Sequence, residues 1–142
     1  MSVVVDSSLL VSLYVNDSNS HDAVQRMSAR PEVWLTPLNR SELAHAIHRQ
    51  VFRQRLSEFE ARRTLKAFED DCAMGAWELV DIPERVWARS IELARKYGPT
   101  LGTRTLDSLH VASAMELQAD RFWTFDERQL RLAEAAGLET KA

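Results

Sequence analysis

An α/β sandwich built on a parallel central sheet is the fold class this sequence predicts. Three observations carry that reading. Short β-branched or aromatic runs alternate with stretches whose apolar residues recur at helical spacing. The first run, Val3-Val4-Val5, is apolar at consecutive positions, as in a strand covered on both faces. The 142 residues include only four glycines and four prolines, with no repeat, linker or low-complexity tract. The expectation is one domain over residues 1–142 with three layers, α/β/α.

Taken in order, Val3–Val5 is the first strand and ends at Asp6. Leu9, Leu10, Leu13 and Tyr14 follow at helical spacing, and a second amphipathic stretch runs from about His21 to Ala29. Pro31 ends it, and Val33-Trp34-Leu35 reads as strand two. Leu43, Ile47 and Val51 form one stripe of a helix over about Asn39 to Gln54. Ser57 with Glu60 makes a capping box for the next helix, which fades near Gly75. Trp77 to Ile82 reads as strand three, and Pro83 suits the first turn of a helix that stops at Gly98-Pro99. Thr105 to Gln118 reads as a helix with Leu106, Leu109, Ser113 and Leu117 on one side. Arg121 to Phe125 is strand four, after which Asp126 caps a last helix closed by Gly137.

Composition narrows the class further. A single cysteine, Cys72, cannot form an internal disulfide, no apolar run approaches the ~18–20 residues of a membrane span, and the start lacks a signal-peptide pattern. A cytoplasmic protein without a membrane segment is expected. The net charge of −3 argues against binding polyanions by bulk charge. Yet only Lys66, Lys96 and Lys141 of the 18 basic residues are lysines, and Arg49, Arg53, Arg55, Arg62 and Arg63 fall close together. The arginine fork suits phosphate or carboxylate, although a solvated helical face explains the run equally well.

In open parallel sheets, ligands bind outside the carboxyl ends of the strands. Asp6 directly follows strand one, Glu42 lies in the first helical turn after strand two, Asp126 directly follows strand four, and Asp107 begins the helix leading into strand four. Each alone could be a turn former, a cap or a partner of a helix dipole. Gathered at one edge they would repel one another unless a hard cation lay between them, and oxygen ligands suit Mg²⁺ or Mn²⁺ rather than zinc. His45 and His48 lack a third ligand at matching spacing, and packing or surface roles are expected for them. Core packing is expected for His110, for Cys72 and for the tryptophans in or beside strands.

The segments VVVDSSLLVSLY, NRSELAHAI, RTLDSLHVASAMELQADRFWTFD and RLAEAAGL resemble the successive motifs of PIN domains, especially VapC-type toxins of prokaryotic toxin–antitoxin pairs. The resemblance covers essentially the whole chain and is most specific from Arg104 to Leu138. It implies a Mg²⁺- or Mn²⁺-dependent ribonuclease, usually dimeric and paired with a small antitoxin. The family's acids fall on Asp6, Glu42, Asp107 and Asp126, and its hydroxyl residues on Ser8 and Thr124; Ser7 stands where threonine is common. On this reading Asp6 and Asp107 are the primary metal ligands, and Glu42 and Asp126 complete the set. Ser8 and Thr124 orient carboxylates or water. Arg49 and Arg53, further along the Glu42 helix, would hold the RNA backbone.

Two other classes compete. Aspartate-dependent phosphoryl transfer needs a lysine near the phosphoryl group, and none of the three lysines follows strand four. A PIN module that binds RNA or protein without cleavage is the alternative that the intact acids argue against.

Overall fold

Val3, Val4 and Val5 are fully buried in the computed structural model, which describes residues 1–142. They form β1 (Ser2–Val5), which pairs in parallel with β2 (Glu32–Leu35) on one edge and with β4 (Arg121–Trp123) on the other. β3 (Glu78–Leu79) adds to β2, again in parallel, giving the order β3-β2-β1-β4. The four-stranded parallel sheet agrees with the expected fold class.

Side chains alternate across the sheet. Val3, Val5, Val33, Leu35 and Trp123 face one apolar layer, completed by α1 (Ser7–Tyr14), α2 (Ser20–Met27), α3 (Pro37–Phe52) and α4 (Glu58–Ala73). Val4 and Phe122 face the other, completed by α5 (Val86–Leu101), α6 (Thr105–Glu116) and α7 (Glu127–Ala135). The capping box of Ser57 and Glu60 opens α4, with bonds of 3.0 and 3.1 Å in the two directions.

Four elements differ from expectation. Strand four ends at Trp123 rather than Phe125, so Thr124 and not Asp126 is the residue directly after it. Strand three keeps only two ladder residues, both exposed, because it is an edge strand and Trp77 turns inward instead. The Trp77 indole N–H donates to Tyr14 Oη at 2.8 Å. α5 does not stop at Gly98-Pro99. A proline in the last turn forfeits one backbone donor without breaking the helix, and the stop is Gly102, left-handed at φ 62°, whose N–H reaches the Gly98 carbonyl at 2.9 Å. Pro83 lies before that helix, accepting from Val86 N–H, rather than in its first turn. α6 is not amphipathic. Ser108 to Ala114 are all buried because the helix is packed against both α5 and the sheet, while Leu106 is 46% exposed.

Trp123 and Trp77 are core residues, Trp34 is half-buried and Trp87 is exposed. No helix is long and apolar enough to cross a membrane.

Candidate active site

Strand order reverses at β1: the chain runs outward through β2 and β3, then returns to the other side of β1 as β4. The crevice at such a switch point is where a parallel sheet binds ligands. Asp6 and Thr124, each the residue immediately after its strand, face each other across it, with Thr124 Oγ1 donating to Asp6 Oδ2 at 2.9 Å.

Asp6 is 6% exposed. Its other oxygen caps α1, accepting from the Ser8 N–H at 3.1 Å, the Leu9 N–H at 3.4 Å and the Ser8 hydroxyl at 2.5 Å. Burial nevertheless dominates and pushes the carboxyl above its ordinary range, against these donors and the charge of His110. Such a carboxylate gains most from a nearby cation. Ser8 and Thr124 also hold the backbone on the far side: Ser8 Oγ accepts from Phe125 N–H, and Thr124 Oγ1 accepts from Asp126 N–H, both at 2.9 Å. Asp126 in turn caps α7, accepting from Gln129 N–H at 2.9 Å.

Glu42 enters from the second turn of α3, not the first as expected, because the helix opens at Pro37 rather than near Asn39. Thr36 and Asn39 fix the start of that helix, Asn39 Oδ1 accepting from Thr36 N–H at 2.9 Å. The Asn39 amide then donates to the Val5 carbonyl at 2.7 Å, locking α3 to the end of β1 one residue before Asp6. Asn39 is fully buried, and its part in holding the site together escaped the sequence reading, although it lies in the quoted NRSE segment. Glu42 contacts the buried imidazole of His110 through Nε2. Burial raises the Glu42 pKa, but the hydrogen bond and charge of His110 overcome this, with Ser7 and Arg104 adding to them, so the carboxyl lies below its ordinary value. For His110, one turn beyond Asp107, packing is the favoured expectation and contact with the site the other; it does both, while its Nδ1 has no partner.

Arg104, the residue before α6, is the unforeseen member. Its Nε lies 3.2 Å from Asp107 Oδ2 and its Nη2 lies 3.8 Å from Asp126 Oδ2. One guanidinium therefore bridges two of the four acids. In this arrangement no three Asp, Glu, His or Cys side chains close around a common point. The only advance signal was that Arg104 opens the RTLDS segment, three residues before Asp107.

The arginines expected to extend this surface separate. Arg49 lines a cavity of about 400 Å³ together with Glu42, whereas Arg53 is the exposed C-cap of α3 and lies outside it. His45 and His48 do not form a pair; each directs Nδ1 to the backbone carbonyl four residues earlier, Ser41 at 2.9 Å and Ala44 at 2.8 Å. Cys72 lies half-buried against the α1–α4 core.

The sequence pattern of the PIN domain matches residues 3–135. The chain belongs to the PIN domain family. Among solved structures, this PIN domain is similar to VapC20 of Mycobacterium tuberculosis, described as a toxin cleaving the sarcin–ricin loop. The identity is 14% over 96% of this chain and 95% of that one, with a TM-score of 0.71. It is also similar to FitAcB of Neisseria gonorrhoeae (15% identity, 99% and 96% coverage, TM-score 0.71). VapBC2 of Rickettsia felis, solved on a fragment of promoter DNA, is a third (12% identity, 99% and 98% coverage, TM-score 0.69). At these identities the likeness concerns the fold. No curated protein matches the sequence.

Proposed function

We propose that this PIN domain is a divalent-cation-dependent endoribonuclease and the toxin of a toxin–antitoxin pair. The observation that carries the reading is the carboxylate of Asp6, buried at the switch point of the sheet and hydrogen-bonded across it to Thr124. The solved toxins of the same fold, one described as cleaving the sarcin–ricin loop and another as a toxin–antitoxin complex, support the biological class.

Asp6, Glu42, Asp107 and Asp126 offer only oxygen donors, the set that suits Mg²⁺ or Mn²⁺. Asp6 and Asp107 would be the primary ligands, with Glu42 and Asp126 completing the set once Arg104 leaves Asp107 and Asp126. A cation held there supplies charge stabilisation at the phosphoryl oxygens and acidifies an attacking water. The chain's own groups do the rest. Ser8 and Thr124 fix the two Asp6 oxygens, so its carboxylate is oriented before any ligand arrives. His110 keeps Glu42 ionised and aimed. Arg104, released, can pair with a phosphate oxygen of the RNA. Arg49 and Arg53 supply backbone contacts further along α3.

Incubating RNA with the protein in EDTA, then with Mg²⁺ restored, tests the reaction: cleavage should vanish and return. Full cleavage in EDTA sinks the metal mechanism. A second reading, a PIN module that binds without cutting, is favoured by one observation, the Arg104 bridge that neutralises two acids in place of a cation. Expression of the Asp107→Asn variant decides between them. Growth arrest should disappear; arrest as strong as wild type supports binding alone. A pocket of this charge also suits a guanidinium or ammonium from an antitoxin, and antitoxin affinity should then fall in the same variant.

A further inference from the structure

On α3, Leu38, Glu42, His45 and Arg49 recur at intervals of three and four and share one face. That face is one wall of the 400 Å³ cavity, closed on the other side by Ser7 at the start of α1 and Leu106 at the start of α6. The cavity shares Glu42 with the candidate active site. Its size falls within the range of small-ligand sites.

Three of its groups are unaccounted for by the fold. Leu106 is 46% exposed in the first turn of α6, ahead of the buried run Ser108 to Ala114, and packs into neither apolar layer. Arg49 makes no ion pair, although acidic partners are available elsewhere on the surface. The imidazole of His45 must carry its proton on Nδ1, because the Ser41 carbonyl that it meets can only accept. Nε2 of this cavity residue is thereby an acceptor while the ring is neutral.

We infer that this cavity holds one nucleotide of the RNA strand, next to the phosphodiester at the acid cluster. The inference rests on the nuclease reading and extends it to a specific subsite. Leu38 and Leu106 supply apolar surface for the face of a base, Arg49 a fork for its phosphate, and His45 Nε2 an acceptor for an N–H on the base edge. The mixture favours a nucleotide over a peptide segment, which would present no phosphate to Arg49 and would need a longer apolar groove than a cavity of this size.

The test is binding of a fluorescein-labelled RNA tetranucleotide in EDTA, by fluorescence anisotropy, with cleavage of the same RNA in Mg²⁺ measured in parallel. Leu106→Ala and His45→Ala should each weaken binding about fivefold, as expected for lost apolar contact or a lost hydrogen bond. Phe52→Ala, at an 87% exposed residue outside the cavity, should bind as wild type does. A series of oligonucleotides, each abasic at one position, should contain one that binds wild type and Leu106→Ala equally, which identifies the base in the cavity. Equal affinity of all variants for intact RNA overturns the subsite, and so does failure of wild type to bind in EDTA; in both cases cleavage in Mg²⁺ leaves the nuclease reading standing. Absence of cleavage as well removes both. If the two substitutions weaken antitoxin binding and leave RNA binding unchanged, the cavity belongs to the protein partner and the inference is overturned.

Discussion

His110 and Glu42, 68 positions apart in the chain, meet side chain to side chain in the candidate active site. The imidazole opposes the effect of burial and holds the glutamate ionised below its ordinary value. Because its folded pKa is depressed, Glu42 contributes stability that is present above its unfolded value of 4.5 and is lost as pH falls through the folded one. In His110→Ala, burial acts on Glu42 with its main counterweight gone. Thermal midpoints measured across pH 3–7 should show the difference between variant and wild type narrowing toward the acid end, as Glu42 takes up its proton. A constant difference would assign His110 to packing alone.

Asp6→Asn should remove nearly all turnover and raise the metal-free thermal midpoint at neutral pH. The carboxyl is raised by burial, so its ionisation works against the fold, and that penalty is fully present above the folded pKa. It disappears as pH falls toward the unfolded value of 3.8, and the advantage of the amide should disappear with it. The asparagine oxygen can still cap α1. A variant that retains activity and unchanged Mn²⁺ affinity would reduce Asp6 to a capping residue.

Arg104→Gln should bind Mn²⁺ more tightly, because no guanidinium then competes for Asp107 and Asp126. The arginine side chain is 61% exposed, so the gain should be modest, about two- to fivefold, the scale of a screened ion pair. Without metal the same variant should be slightly less stable. Calorimetric titration with Mn²⁺ reads the first effect and a melting curve the second. Weaker Mn²⁺ binding would show that Arg104 organises the ligands rather than occupying their place.

Arg49→Ala and Arg53→Ala should separate. Each phosphate contact removed lowers the salt dependence of binding, and backbone contacts do so across RNA sequences. With Arg49 beside Glu42 in the cavity and Arg53 outside it, the larger change in slope is expected for Arg49. RNA affinity at two salt concentrations gives the answer. An unchanged slope in both variants excludes phosphate contact.

The fold was legible because its signals are local: Val3–Val5 can be read as a doubly covered strand from three adjacent residues, and Ser57 with Glu60 from four. Strand three and the end of α5 were misread for reasons of context. An edge strand needs few partners, and a proline in a final turn costs a helix little. Of the site, the placement of Asp6 directly after its strand follows from sheet topology, whereas Asp126 lies three residues past the end of β4, as the N-cap of α7. The contacts of His110 with Glu42 and of Asn39 with the Val5 carbonyl depend on how α6 and α3 pack, and no spacing in the chain encodes them. Arg104 was hidden by its ordinariness, an arginine in the residue before a helix.

Placing β1 in the middle of the sheet also orders events in time. Asp6 is made 118 residues before Thr124, a gap on the order of ten seconds at the usual pace of translation. Until Arg121–Trp123 has been synthesised, one edge of β1 has no neighbour, and the growing chain lacks Thr124 and Asp126 altogether. Any product terminated earlier is missing half of the crevice. The crevice that Asp6 and Thr124 face across is therefore complete only after nearly the whole chain has been built.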